Sequence, residues 1–207
     1  MIKLNSQKLR KHTPTEEELK QIKRKPLYII CENILDTYNV GAIFRLADAA
    51  AASGVYLVGE TATPDDPKIG HKIHKASVGT WRWTPWFYTK TVKEAVNQIR
   101  NSKFEIPNKF KIPNSKLKTT KNSVSLSNLQ TFKLNIVAVE QHPKSVPYNK
   151  YNYQFPLAMI LGHETTGVSD EALALSDAIV EIPMHGVNNS MNVMVSLAIV
   201  LWYILSK

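Results

Sequence analysis

Three short polar clusters hold the residues best suited to chemistry. The first is Asn39-Val40-Gly41-Ala42-Ile43-Phe44-Arg45. An Asn that caps a helix and an Arg one to two turns later offer an anion both backbone N–H groups and a guanidinium, as a phosphate or ribose site requires. The second is Leu161-Gly162-His163-Glu164-Thr165-Thr166-Gly167. Glycines on both sides of Glu164 predict a tight loop, and the carboxylate needs a partner, for which Arg45 is a candidate. The third runs Ile182-Pro183-Met184-His185-Gly186-Val187-Asn188-Asn189-Ser190-Met191-Asn192-Val193. Ser190 suits a helix N-cap, and Asn192 in an otherwise apolar first turn requires a specific hydrogen-bond partner.

Each cluster follows a short apolar run. Leu27–Cys31, Val55–Val58, Leu134–Val139, Leu157–Leu161 and Ala178–Ile182 read as buried strands. Val40–Ala52 has helical spacing and ends at Ser53-Gly54, while Thr91–Arg100, Asp170–Leu175 and Ser190–Leu205 read as further helices. Strands without polar alternation, separated by helices, predict an α/β fold with a mainly parallel sheet flanked by helices. In such sheets ligands bind beyond the carboxyl ends of the strands, where all three clusters fall. Met191–Leu205 is apolar nearly all round, so it packs on several sides, either in the core or against a second subunit. It has 15 residues, short of the roughly 20 that span a bilayer, and no membrane association is expected.

Charge is concentrated. Residues 1–26 carry eight Lys/Arg against three Glu, residues 101–133 carry seven Lys against Glu105, and the remainder is slightly acidic. Residues 1–26 therefore read as a basic N-terminal arm, with one helix at Pro14–Lys23 capped by Thr13, ahead of a domain over 27–207. The Lys/Asn/Ser-rich stretch at about 101–133, with Pro107 and Pro113, reads as a long insertion. Two basic segments are the footprint of a polyanion binder, or else solvated surface lysine. Lys68, Lys72 and Lys75 precede Trp81-Arg82-Trp83-Thr84-Pro85-Trp86-Phe87, whose rings either stack on bases or pack the core.

Several classes are disfavoured. Cys31 is the single cysteine, which rules out an intramolecular disulfide and a cysteine metal cage and leans toward a reducing compartment. His71 and His74 lack a carboxylate or cysteine companion, and no metal site is expected. No secretory signal opens the sequence, and neither a G-x-G-x-x-G nor a Walker pattern is present.

In that order, N-x-G-x-x-x-R, L-G-x-E-x-x-G and I-P-M-x-G-x-x-x-S-x-N-V resemble the three signature motifs of the SpoU (TrmH) family over about residues 27–205. Met191 stands where that family usually has Leu, and the 101–133 insertion where it has a short link. The resemblance implies a C-terminal trefoil knot, a homodimer and a cytoplasmic enzyme. That enzyme transfers a methyl group from S-adenosyl-L-methionine to a ribose 2′-hydroxyl of tRNA or rRNA. It places catalysis at Asn39, Arg45, Glu164, Ser190 and Asn192, and the cofactor against Val139, Glu140, Leu161, Gly162, Gly167, Ile182, Met184, Gly186 and Met191. Arg45 would orient a phosphate and stabilise the developing alkoxide, with Glu164 holding Arg45 or Asn39. The alternatives are a non-catalytic RNA-binding relative and a knotted base methyltransferase.

Overall fold

A computed structural model describes residues 2–101 and 133–207. The expected insertion lies, apart from its ends Asn101 and Lys133, outside the described residues. The elements run α1 (Ser6–Lys11), α2 (Glu16–Lys20), β1 (Lys25–Glu32), α3 (Thr37–Ala49), β2 (Ala52–Val58), α4 (Gly70–Ser77), a 3-10 turn at Thr80–Arg82, β3 (Trp86–Thr89) and α5 (Val92–Asn101). They continue as β4 (Asn135–Val139), β5 (Val146–Pro147), β6 (Leu157–Leu161), α6 (Asp170–Leu175), β7 (Ala178–Glu181) and α7 (Val193–Leu205).

The seven strands form one sheet in the order β3-β2-β1-β6-β4-β7-β5, and every pair is parallel. β1 and β6 are paired from Leu27 with Leu157 to Cys31 with Leu161. Both faces are covered, as continuous apolar strands require. Leu27, Ile29 and Cys31 point into a core shared with Phe44 of α3 and Leu201 of α7. Tyr28 and Ile30 point the other way, into a core with Val96 of α5 and Ala172 of α6. This two-residue alternation is the strand period expressed on both sides.

β6 and α6 span the residues expected of them, whereas helix termini differ. Asp36, not Asn39, caps α3, its carboxylate accepting from Tyr38 N at 2.8 Å. Asn39 therefore lies inside the helix, with its side chain free for another partner. Ser53 and Gly54 do not end that helix. The chain turns at Ala51, with φ of +51°, and both residues enter β2. Gly54 makes room for rings, since a Cβ there would lie 3.3 Å from Phe87 and 3.6 Å from Tyr28. The arm helix starts at Glu16 under a capping box from Thr15, in place of Thr13. Asn192 caps α7, accepting from Met194 N at 2.9 Å, and Ser190 lies two residues outside the cap.

Sequence patterning gave no warning of α1, α4, β3 or β5. α4 has one fully buried apolar side chain, Ile73, among histidines and lysines. β5 is two residues long, and β3 is a four-residue edge strand after Pro85. The tryptophan stretch mostly packs: Trp83 is buried and Trp86 and Phe87 belong to β3.

Candidate functional site

The carboxyl ends of β4, β6 and β7 converge with the N-terminus of α7 on one cavity of about 320 Å³. That size is at the lower end of the range for small-molecule and cofactor sites. Of the residues singled out from sequence, Val139, Glu140, Leu161, Gly162, Glu164, Gly167, Ile182, Met184, Ser190, Met191 and Asn192 line it. Asn39, Arg45 and Gly186 are not in its walls.

The wall after β6 is a backbone hairpin. His163 N donates to Gly167 O at 3.1 Å, and Gly167 N returns the bond at 2.9 Å. A Cβ on Gly162 would come within 2.3 Å of the Gly167 carbonyl and of Val168 N, so only glycine fits. Inside the hairpin, His163 Nδ1 accepts from Thr165 N at 2.9 Å and Thr166 N at 3.2 Å, which assigns the neutral ring's proton to Nε2. Two further carboxylates clamp the segment that follows. Glu140 accepts from Val168 N at 2.8 Å, and Glu32, buried at the end of β1, accepts from Ser169 N at 3.0 Å and Ser169 Oγ at 2.6 Å.

A hydrogen-bond relay joins the three polar clusters. Glu164 Oε1 accepts from Asn39 Nδ2 at 3.0 Å, and Asn39 Oδ1 accepts from Asn192 Nδ2 at 3.0 Å. Asn192 Oδ1 then caps α7. The relay has one polarity. A carboxylate only accepts and backbone N–H groups only donate, so both intervening amides must face the same way. Glu164 also accepts from Leu35 N at 3.2 Å and Asp36 N at 3.1 Å. Partial burial raises the Glu164 pKa, but the bonds from Asn39, its own N–H, Asp36 and Leu35 outweigh it, and the net shift is downward. The carboxylate is thus ionised and acceptor-only at neutral pH.

Of the two partners expected for Glu164, Asn39 holds the carboxylate and Arg45 does not, and Glu164 is exposed. Arg45 follows Asn39 by six residues, which at about 100° per residue puts it about 240° around the helix. It is exposed, and its guanidinium has no hydrogen bond or ion pair to any described residue. Asn192 is likewise exposed rather than buried, although both ends of its amide are bonded. Ser190 is held by Asn188 Oδ1, at 3.1 Å from its N and 3.2 Å from its Oγ. Gly186 stands in an exposed loop with nothing within 4 Å of a would-be Cβ.

Sequence reading missed Gln141, Glu181 and Ser196 in the cavity wall. Gln141 Nε2 donates to Ile182 O at 2.9 Å and ties the ends of β4 and β7 together. Its position just past a strand end was the available signal. Cys31 is fully buried in β1, its thiol pKa pushed up by burial and by the Glu164 charge, which makes it a poor nucleophile.

Comparison with known proteins gives the following. The SpoU rRNA Methylase family matches residues 26–111 and 107–202. A tRNA (guanosine(18)-2′-O)-methyltransferase of Borreliella burgdorferi is 24% identical over 192 residues, covering 92% of this chain and 71% of that one. The Escherichia coli protein of the same name is 25% identical over 181 residues, covering 87% of this chain and 63% of its own length. The crystal structure of an AdoMet-bound rRNA methyltransferase from Sinorhizobium meliloti superposes with a TM-score of 0.64 at 24% identity, over 94% of this chain and 58% of that chain. The chain thus spans less than two thirds of some of the proteins it matches.

Proposed function

Because the chain belongs to the SpoU rRNA methylase family, we propose that it transfers a methyl group from S-adenosyl-L-methionine to a ribose 2′-hydroxyl of tRNA or rRNA. The observation that carries this reading is the relay Glu164–Asn39–Asn192, which joins all three motifs beside a cavity of cofactor size.

The cavity suits the cofactor. Its wall at Gly162 and Gly167 is backbone that a Cβ would obstruct, with Glu140 behind it. Leu161, Ile182, Met184 and Met191 supply apolar surface, and Glu140, Glu164 and Glu181 supply negative charge. When bound there, the cofactor supplies a methyl group on a positively charged sulfonium. The exposed Gly186 takes part only if its loop folds inward.

The remaining work belongs to this chain's side chains. Ser190 and Asn192 at the cavity wall, the latter locked in orientation by Asn39 through the relay, position the ribose. A guanidinium with pKa above about 12 is a poor base. Arg45 is therefore assigned to hold the RNA phosphate and stabilise the oxygen as its proton leaves to water. Its exposure, without a partner among the described residues, leaves the guanidinium available for that contact.

The same reading proposes a basic arm at 1–26, a methyltransferase domain at 27–207, a C-terminal trefoil knot through the β7–α7 segment and a cytoplasmic location. Among the described residues, no helix is long and apolar enough to cross a membrane. A homodimer is proposed through α7. Leu197, Val200, Leu201 and Ile204 are buried in the protomer, while Val195 and Trp202, seven residues apart on one stripe, are 38% and 47% exposed. Calorimetric titration with S-adenosylmethionine, and transfer of its labelled methyl group to unmodified RNA, test the reading. Absence of both would overturn it.

A further inference from the structure

We propose that α1, α4 and the 3-10 turn after α4 form a cationic surface, separate from the cavity, that grips the phosphate backbone of the RNA substrate away from the reacting nucleotide. The proposal rests on the methyltransferase reading and deepens it by naming where the rest of the RNA lies.

The surface is assembled by specific contacts. α1 docks on the turn that follows α4. Gly79 has φ of +93°, and a Cβ there would come within 2.3 Å of Leu9 O and 2.8 Å of Leu9 C. Arg82 Nη1 donates to Arg10 O at 3.4 Å. The His12 ring lies 5.7 Å from Trp83, and Leu19 of α2 is buried. These contacts bring the exposed Lys8, Arg10 and Lys11 of α1 beside the helix that exposes Lys72 and Lys75. Arg82 lies over Trp81, 5.0 Å from the ring centroid, and His74 stacks on the same indole at 4.4 Å and 7°.

Little of this charge is answered internally. Among the described residues, none of Lys8, Arg10, Lys11, Lys72, Lys75 and Arg82 is in an ion pair. Three of the nearby acids are otherwise engaged. Glu18 holds His12, Glu16 pairs with Lys20, and Asp66 accepts from Lys68 N and Ile69 N at the start of α4. The Arg82 charge also reaches His74. Burial is the main cause that lowers its pKa, and the charges of Arg82 and His71 lower it further against the bond to Pro64 O. Docking a basic helix on the turn that ends another basic helix works against Coulomb repulsion within a screening length of about 8–10 Å. Such an arrangement becomes favourable once a polyanion lies across it. Phosphates meet that need, and the lysines require no base identity from them.

The surface is also well placed. α4 leans on α3, where a Cβ on Gly41 would meet Ala76 Cβ at 2.4 Å. Gly41 is two residues from Asn39 in the relay and four from Arg45. An eight-residue helix is about 12 Å long. A strand whose ribose sits at the cavity can therefore continue along α4 toward the arm.

The test uses the full chain, a fluorescently labelled tRNA transcript, and anionic phosphatidylglycerol vesicles as a second polyanion. The variants are Lys72→Ser/Lys75→Ser and Arg10→Ser/Lys11→Ser, all exposed positions. Each pair should weaken transcript binding at least about fivefold near 0.1 M salt and lower the slope of log affinity against log salt by about 1.4–1.8. S-adenosylmethionine affinity and melting temperature should stay at wild-type values. An unchanged RNA affinity and slope in both variants would overturn the proposal, as would a loss seen with vesicles alone. If wild-type protein binds the transcript with this slope yet transfers no methyl group to any RNA, the functional reading fails while the surface stands.

Discussion

Replacing Asn39 with Asp changes one atom of the relay and nothing of its shape. The amide nitrogen that donates to Glu164 Oε1 at 3.0 Å becomes an oxygen, and two carboxylates face each other. Charge centres about 4 Å apart repel by about 1 kcal/mol in water and about 4 kcal/mol at the effective dielectric of a protein surface. Losing a hydrogen bond to a charged acceptor costs about 1.5–3 kcal/mol. Glu164 is exposed and Asn39 buried, so solvent screens part of the repulsion, and a net loss of about 2–4 kcal/mol is expected near pH 7. For a chain of this size that lowers Tm by about 5–15 °C. The pH dependence identifies the cause. In the wild type the Glu164 pKa is lowered, so its contribution is full above the ordinary glutamate value of about 4.3 and fades as pH falls through the lowered value. In Asn39→Asp the facing carboxylates share a proton, which raises one pKa of the pair. The protonated pair's stabilisation is present at low pH and lost as pH rises through that raised value. Thermal melts from pH 4 to 8 should show the deficit largest at neutral pH and shrinking toward pH 4. A deficit that does not vary with pH, or none at pH 7, would refute the relay's polarity.

Other positions give separate outcomes. Gly162→Ala places a Cβ 2.3 Å from the Gly167 backbone and should abolish S-adenosylmethionine binding, read by calorimetry. Glu32→Ala strands the N–H and hydroxyl of the half-buried Ser169 and should cost about 1–3 kcal/mol in denaturant melts, with Glu32→Gln recovering most of it by keeping one acceptor. Trp202→Asp should convert the proposed dimer to a monomer in light scattering, because the ring is 47% exposed on the uncovered stripe of α7.

The sheet and the cavity were legible because both rest on patterns local to the chain. Continuous apolar runs such as Leu157–Leu161 have few alternatives to a buried strand, and polar loops after them must lie at the sheet's carboxyl edge. Helix caps were less legible. Asp36 and Asn39 both suit a cap, as do Ser190 and Asn192, and the choice depends on which side chain the loop bends back. The choice between Asn39 and Arg45 as the partner of Glu164 stayed open in the sequence for a related reason. Spacing names the residues on a helix, but the face that meets a distant loop is set by how α3 and α7 pack on the sheet. Arg45 shares a motif with Asn39 and not its direction. The cationic surface was half visible: Lys72 and Lys75 were noted, yet nothing in the sequence says that Gly79 lets α1 settle beside them.

The central claim is ribose methylation, and the modified nucleoside tests it most directly. RNA lacking the modification is incubated with the protein and methyl-labelled S-adenosylmethionine, then digested and analysed by mass spectrometry. The account predicts a 2′-O-methyl nucleoside whose 3′ linkage resists alkali, and its loss in Arg45→Ala with cofactor affinity within a few-fold of wild type. A methylated base in an alkali-labile backbone, or near-normal turnover without the Arg45 guanidinium, would contradict it.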